Sequence, residues 1–147
     1  MIDKKDRKIL AALRDDARRS SQTIAALTGI PASTVHHRIR QLARNGVIKR
    51  YTIDLDQRAM GKEIAAYVLV SVDYKLLREK GATQHQLAAQ LRKHEYVEEV
   101  AMITGASDII LRVRVGTIAQ LDEFVTRYLR NIDGVEKTQT SVVLSLF

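Results

Sequence analysis

Residues 20–51 read SSQTIAALTGIPASTVHHRIRQLARNGVIKRY and contain two short helical patterns joined by a tight turn. In the first pattern, Ile24 and the neighbouring alanines form an apolar side, and Ser21 is the predicted N-cap. Gly29 is predicted to end this helix, because glycine adopts a left-handed conformation without steric cost. Pro31 fits the start of the second helix. The stretch therefore predicts a helix-turn-helix unit.

The second helix has one narrow apolar stripe, in which Val35, Ile39 and Leu42 repeat at i, i+4 and i+7. The rest of its surface is rich in hydrogen-bond donors. Such a helix fits the major groove of double-stranded DNA, where arginine can form two hydrogen bonds to guanine. The predicted DNA contacts on this helix are Ser33, Thr34, His36, His37, Arg38, Arg40, Gln41 and Arg44.

An apolar segment follows this helix and predicts a short strand within a basic hairpin, or wing. The apolar positions are Val47, Ile48, Tyr51 and Ile53. Lys49 and Arg50 are predicted to point outward and to contact DNA. A further helix is predicted over residues 3–16, with Asp3 as its N-cap.

The positive charge of the chain is concentrated in its first part. Residues 1–60 contain 13 Lys and Arg against 6 Asp and Glu, whereas residues 61–147 contain 11 of each. A basic surface favours a polyanion, because each phosphate that is neutralised releases condensed counterions. Two-helix corners also occur in proteins that never bind nucleic acid, but the location of the charge favours DNA.

The composition limits the other classes of function. The chain has no cysteine, so it has neither a disulfide framework nor a thiolate zinc site. His36 and His37 are adjacent on a helix and cannot bind one metal ion together. His85 and His94 flank a predicted helix, where we expect solvated positions or a place at its C-terminal end. With no signal-peptide core and no apolar run near the ~20 residues of a membrane span, we expect a cytoplasmic protein.

From residue 64 onward the pattern changes to strand, helix, strand, strand, helix, strand. The predicted strands are Ala65–Val72, Val97–Ile103, Ile109–Val115 and Val135–Leu146, and the predicted helices run from Thr83 to His94 and onward from a capping box at Thr117 and Gln120. The third strand alternates between a buried face and a partly wet face that carries Arg112 and Arg114.

This order predicts an α+β chain with a ferredoxin-like βαββαβ domain, whose two helices cover one face of an antiparallel sheet. The other face needs a cover, and a second copy of the chain is the simplest one. We therefore expect a winged helix-turn-helix domain over residues 1–53, a hinge over residues 54–63 and a ferredoxin-like domain over residues 64–147.

Four segments make a resemblance specific: DKKDRKIL at residues 3–10, RIRQLARNGVIKRY at 38–51, TGASDIILRV at 104–113 and DGVEKTQTSVVL at 133–144. Together they closely resemble the Lrp/AsnC, or feast/famine, family of prokaryotic transcription regulators. The resemblance implies a winged-helix domain joined to a ferredoxin-like domain that dimerises, assembles into tetramers or octamers and often binds an amino acid between subunits. We expect no cofactor.

The resemblance also implies an effector site at a glycine turn and on the last strand. The matching residues are Thr104, Gly105, Asp108, Thr138 and Thr140. An amino acid's ammonium group needs a carboxylate, which Asp108 supplies, and its carboxylate needs backbone N–H groups and hydroxyls. The alternative is an ordinary glycine turn that an aspartate caps.

Two other functions remain open from the sequence. Some relatives of the family resemble this architecture but decarboxylate a haem precursor with histidine and arginine, as a siroheme decarboxylase does. An architectural protein that binds DNA broadly and ignores small molecules is the other alternative. The basic residues near one end argue against an enzyme, which has no physical need for them. One departure from the family is Pro31, which replaces the usual N-cap residue of the second helix; Ser33 is a nearby substitute.

Overall fold

The computed structural model describes residues 2–145 and divides into two units, Met1–Asp54 and Leu55–Phe147. The division falls beside the predicted end of the first domain; the assignment of residues 54–63 as a hinge stays a prediction. Within the described part of the chain, no helix has the length and apolar character needed to cross a membrane.

The first unit contains three helices, α1 (Lys4–Asp15), α2 (Ser21–Thr28) and α3 (Ala32–Arg44). Asp3 caps α1 as predicted, because its Oδ1 accepts a hydrogen bond from the backbone N of Asp6 at 2.8 Å. The cap of α2 is Ser20 and not Ser21, since it is the Ser20 hydroxyl that accepts from the backbone N of Thr23. Gly29 ends α2 with a φ of 71°, which confirms the predicted left-handed turn.

The core of this unit lies where the three helices meet. Ile9 of α1, Ile24 of α2 and Val35 of α3 are fully buried there. Leu42 is also buried, whereas Ile39 is only partly buried. The apolar stripe of α3 therefore faces the core as its spacing predicts.

The predicted wing does not form a hairpin. The backbone N–H groups of Val47 and Ile48 both donate to the carbonyl of Leu42, at 2.9 and 3.1 Å, and so continue the end of α3. Residues 49–55 then run without a strand assignment. The apolar residues have strand propensity, but a strand needs a partner for its hydrogen bonds, and the described part of this unit offers none.

The second unit has the predicted ferredoxin-like order, which the structure confirms. Its elements are β1 (Ile64–Val72), α4 (Tyr74–Glu79), α5 (Gln84–Leu91), β2 (Val97–Met102), β3 (Ile109–Val115), α6 (Ile118–Glu123) and β4 (Val135–Val142). All the strand pairings are antiparallel, in the order β2-β3-β1-β4. After α6 the chain continues as a π-helical turn, Phe124–Tyr128, and a 3₁₀ turn, Leu129–Asn131.

Several elements differ from the predictions. The short helix α4 was not expected, β2 ends one residue before Ile103, and α5 is shorter than the predicted helix. The last strand ends at Val142; Leu146, where it was predicted to end, lies outside the described residues.

One sheet face packs against the helices and the other remains open. Val68 and Val70 of β1 and Leu111 and Val113 of β3 are fully buried on the helix side. On the open face, Tyr67 is 39% exposed.

Arg114 lies on the face of β3 that was predicted to be partly wet. Its side chain is buried, and its Nε lies 2.8 Å from Oε1 of Glu98. The same carboxylate reaches Arg112 through Oε2 at 3.1 Å. Glu98 sits at an irregularity in the β2–β3 register, between Val97 and Glu99, which brings it beside both arginines.

Candidate DNA interface and effector site

The side of α3 opposite its apolar stripe is open to solvent. Six of the predicted DNA contacts on it are exposed: Ser33, His36, His37, Arg40, Gln41 and Arg44. Thr34 and Arg38 are partly buried at its edge. Pro31 precedes the helix without a side-chain cap, so the first amides of α3 have no capping hydroxyl and remain suited to an anion.

A groove of about 840 Å³ runs beside this exposed side. One wall consists of Ser33, Thr34, His37, Arg38 and Gln41, and Asp3 and Asp6 lie on the other wall. The structure therefore places five of the predicted contacts along one surface, together with two carboxylates that no sequence pattern links to them.

Arg38 is held inside the unit by those carboxylates. Its Nη1 donates to Oδ2 of Asp3 at 2.5 Å and to Oδ1 of Asp6 at 2.9 Å. The Asp6 backbone N–H and then the Arg38 guanidinium lower the pKa of Asp3 below its usual value, and the two carboxylates raise the pKa of Arg38. Arg38 thus has a structural role that competes with the DNA contact predicted for it.

Lys49 and Arg50 are exposed, but they lie on a segment without strand pairing rather than on a wing. They border a second groove of about 1280 Å³ between α1 and residues 47–54. Tyr51 and Ile53 line the same groove and are 57% and 75% exposed. Strand propensity identified these apolar residues in the sequence, but it did not show that they would be exposed.

Asp108 lies at the end of a turn and holds two segments together. Its Oδ2 accepts a hydrogen bond from the backbone N of Val72 at 2.8 Å, and its Oδ1 accepts from the hydroxyl of Tyr74 at 2.8 Å. The backbone carbonyl of Asp108 accepts from Nε2 of Gln84 at 3.2 Å. The hydrogen bond to Asp108 is also the main cause that raises the pKa of Tyr74.

The glycine turn forms where it was predicted. Ile103 donates its backbone N–H to the carbonyl of Asp108 at 2.9 Å and closes the turn, in which Gly105 has a φ of 123°. Such a φ favours glycine over residues with a Cβ. Thr104 and Gly105 are exposed, so their polar groups are accessible to a small molecule.

Thr138 and Thr140 lie apart from this turn. They pair with Val70 and Val68 of β1, whereas Asp108 adjoins the other side of β1, where its N–H donates to the carbonyl of Val70. Two strand spacings amount to about 10 Å. Within one chain, the predicted effector residues therefore form two separate groups.

His94 lies just after the C-terminal end of α5, one of the two places expected for it, but its ring is half-buried and not solvated. Its ring centroid lies 4.9 Å from that of Tyr96, 4.7 Å from that of Phe124 and 4.2 Å from that of Tyr128. Its Nδ1 accepts the backbone N–H of Tyr96 at 3.2 Å. Burial lowers the pKa of His94. The π-helical turn brings Phe124 and Tyr128 onto one side, where their rings stack; helical periodicity alone does not reveal such a turn.

Metal-binding side chains do not cluster in residues 2–145: no group of three or more His, Cys, Asp or Glu there is placed to hold an ion.

Comparison with protein families assigns a class to each unit. Residues 2–49 match a winged helix-turn-helix DNA-binding model, and residues 65–147 match the Lrp/AsnC ligand-binding domain. The first match ends within the segment predicted as the wing. A helix-turn-helix unit and a ligand-binding domain in one chain define a DNA-binding transcription regulator.

Whole-chain comparisons agree with this class. An HTH-type transcriptional regulator of Pyrococcus furiosus is 34% identical over 99% of this chain and 94% of its own length. The crystal structure of a Neisseria meningitidis transcriptional regulator in complex with L-methionine has a TM-score of 0.87, at 27% identity over 99% of this chain and 91% of that one. AsnC of Escherichia coli has a TM-score of 0.83, at 25% identity over 99% and 94%. The protein belongs to the Lrp/AsnC family of transcription regulators.

Proposed function

We propose that this regulator binds specific promoter or operator sites as a homodimer and changes its DNA binding when an amino acid binds to it. Each protomer places α3 in the major groove, so the two helices of a dimer enter successive grooves about one helical turn apart. The observation that carries this proposal is the exposed side of α3, where His37 and Gln41 follow Ser33 at helical spacing and Arg40 and Arg44 lie beside them.

The contacts to bases and to phosphates come from different parts of the first unit. The arginines of α3 are suited to guanine edges, and serine, glutamine and histidine are suited to base edges or phosphates. Lys49 and Arg50 are exposed on the segment after α3 and contact flanking phosphates. Arg38 supports α3 from within, because Asp3 and Asp6 bind its guanidinium.

The open face of the sheet forms the dimer interface. Tyr67 is 39% exposed on this face, and Leu69 and Ile110 lie partly buried beside it. In a two-fold symmetric dimer, the same face of a second chain packs against this one, and these side chains are buried in both protomers. Assembly into tetramers or octamers then brings the turns of different dimers together.

The effector is an amino acid, bound where two chains meet. The support for this ligand class is the match of residues 65–147 to a ligand-binding domain and the L-methionine in the Neisseria meningitidis regulator. Asp108 receives the ammonium group, and Thr104 and Gly105 offer backbone groups beside it. Since Thr138 and Thr140 lie at least two strand spacings, or about 10 Å, across the sheet from Asp108 within one chain, we infer that they complete the site from a neighbouring chain.

We propose no catalytic activity and no cofactor. DNA binding requires the basic residues of α3 and of the segment after it, whereas the decarboxylation of a haem precursor does not. The relatives reported above are named as transcription regulators. His94 accepts a backbone N–H and packs among three aromatic rings, which is a structural arrangement.

Selection of binding sites from random DNA, followed by anisotropy titration of the selected sites, tests the proposal. We expect a loose palindrome with half-sites one helical turn apart, bound at least tenfold more tightly than random DNA. Binding without sequence preference would favour the architectural protein instead. Arg40→Ala is the informative variant. If Arg40 reads a base, the variant loses affinity for the selected sites only.

A further inference from the structure

The carboxylate of Asp108 has two oxygens with different partners. Oδ2 accepts the backbone N–H of Val72, a residue that is only 4% exposed. Losing that bond would leave a buried N–H without a partner, which is costly. Oδ1 accepts a hydrogen bond from the hydroxyl of Tyr74, a residue that is 49% exposed. Oδ2 is therefore tied to the fold, and Oδ1 is the exchangeable oxygen.

Tyr74 reaches Asp108 from the start of α4, the short helix that the sequence did not predict. Asp73 caps this helix by accepting the backbone N–H of Leu76 at 2.8 Å. The cap fixes the first turn and places the tyrosine ring beside the glycine turn. When the phenol leaves Oδ1, its exposed position allows water to replace the lost partner, so release of Tyr74 leaves no buried polar group without a hydrogen bond.

We propose that Tyr74 is a built-in competitor of the effector: its hydroxyl occupies Oδ1 of Asp108 in the free protein, and the ammonium group of an amino acid displaces it. This inference rests on the proposed role of Asp108 in effector binding. A phenol O–H and an ammonium N–H are both donors, so one replaces the other without any movement of the carboxylate. The ammonium gains a charge-assisted hydrogen bond, which is stronger than the neutral one it replaces.

This competition has two consequences for the effector. Every ligand binds more weakly by the free energy of the hydrogen bond between Tyr74 and Asp108. The competition also favours ligands with a charged amino group, because the α-hydroxy acid with the same side chain offers only a neutral donor to replace a neutral donor. Tyr74 stays a donor at neutral pH, since its hydrogen bond to Asp108 raises the pKa of the phenol.

The test compares the full-length protein with Tyr74→Phe, which removes the hydroxyl and keeps the ring. Each of the twenty L-amino acids is first screened by thermal shift, and the one with the largest shift is titrated calorimetrically into both proteins. We expect Tyr74→Phe to bind it about 2- to 10-fold more tightly, the factor that corresponds to one net hydrogen bond. Tyr96→Phe is the matched control, because Tyr96 has no contact with Asp108 among the described hydrogen bonds; it should keep the wild-type affinity.

The same exchange is observable without a variant. In wild-type protein labelled with ¹³C at the tyrosine Cζ, the resonance of Tyr74 should shift on saturation with the amino acid, as its hydrogen bond is released. Unchanged or weaker binding by Tyr74→Phe, or an unmoved Tyr74 resonance, would overturn the competitor role and leave the effector site in place. If neither protein binds any of the twenty amino acids while both still bind DNA, the proposed effector function fails, and the competitor role fails with it.

Discussion

Arg38 of α3 and Asp6 of α1 are joined by a hydrogen bond of 2.9 Å between Nη1 and Oδ1. Asp6 also accepts the backbone N–H of Asp3 at 3.0 Å, so one buried carboxylate both caps α1 and holds α3. Two elements of the DNA-binding unit are thereby fixed to each other by side chains that are not part of the apolar core.

Replacing Asp6 with alanine should therefore destabilise the protein by about 1 to 3 kcal/mol, because it removes one of the two carboxylates that bind Arg38 and leaves the Asp3 N–H without its partner. Chemical denaturation at neutral pH measures this change. Asp15→Ala is the control, since Asp15 pairs with Arg19 at the surface and such pairs contribute little. Equal stability of the two variants would show that the contact with Arg38 does not hold the helices together.

Arg40 and Lys49 should differ in how they bind DNA. Arg40→Ala should weaken selected sites by about 1 to 3 kcal/mol and random DNA far less, because a base contact carries sequence information. Lys49→Ala should weaken both kinds of DNA alike and lower the slope of log K against log salt by about one. Anisotropy titrations at several salt concentrations measure both effects. An equal loss on both DNAs for Arg40→Ala would make Arg40 a phosphate contact.

The stability of the protein should fall as the pH is lowered through the range in which His94 becomes protonated. Burial lowers the pKa of His94 in the folded state from its usual 6.5. The unfolded chain therefore binds the proton more readily, and the contribution of neutral His94 is complete above pH 6.5 and is lost as the pH falls through the folded pKa. Protonation also removes the Nδ1 acceptor of the Tyr96 N–H.

Thermal melts between pH 7.5 and pH 5 measure this dependence. His94→Asn retains an acceptor but cannot titrate, so its melting temperature should depend less on pH than that of the wild type. His85→Asn, at an exposed position, should keep the wild-type dependence. If His94→Asn has the same pH profile as the wild type, the titration of His94 does not contribute to stability.

Replacement by alanine should destabilise the protein more at Gly134 than at Gly81, which also has a positive φ. Gly134 has a φ of 94°, and a Cβ there would lie 2.4 Å from Cδ2 of Leu77, a buried residue. Gly134→Ala should cost about 1 to 3 kcal/mol through overpacking and backbone strain together. Gly81→Ala is the matched control, because Gly81 has a φ of 63° and no atom within 4 Å of its Cβ position. A cost at Gly134 no larger than at Gly81 would contradict the overpacking.

The parts of the fold that could be predicted are those that local pattern determines. The capping box at Thr117 and the strand Ile109–Val115 appear with the predicted residues and bounds. The pattern failed where a distant partner decides the outcome. Residues 47–53 have strand propensity but find no partner strand among residues 2–145, and Arg114 is buried because Glu98 reaches it from a neighbouring strand. The helix α4 buries only Leu77 over six residues, too few for a period.

The candidate sites show the same limit. The exposed side of α3 follows from helical periodicity, and the structure leaves six of its predicted contacts exposed. The motif around Asp108 located the turn, but no local signal pointed to Tyr74, which is 34 positions away in the chain. The ion pair of Arg38 with Asp3 spans 35 positions. Contacts of this range depend on tertiary packing, which a single sequence does not display.

We expect this protein to bind specific DNA and an amino acid to change that binding. The most direct test is a titration of the protein on the DNA upstream of its own gene, at two salt concentrations, with and without a mixture of the twenty amino acids. We predict saturable binding that weakens at higher salt and changes in affinity or stoichiometry when the mixture is present. Binding that is identical with and without the mixture would contradict the effector part of the claim, and the absence of binding at both salt concentrations would contradict all of it.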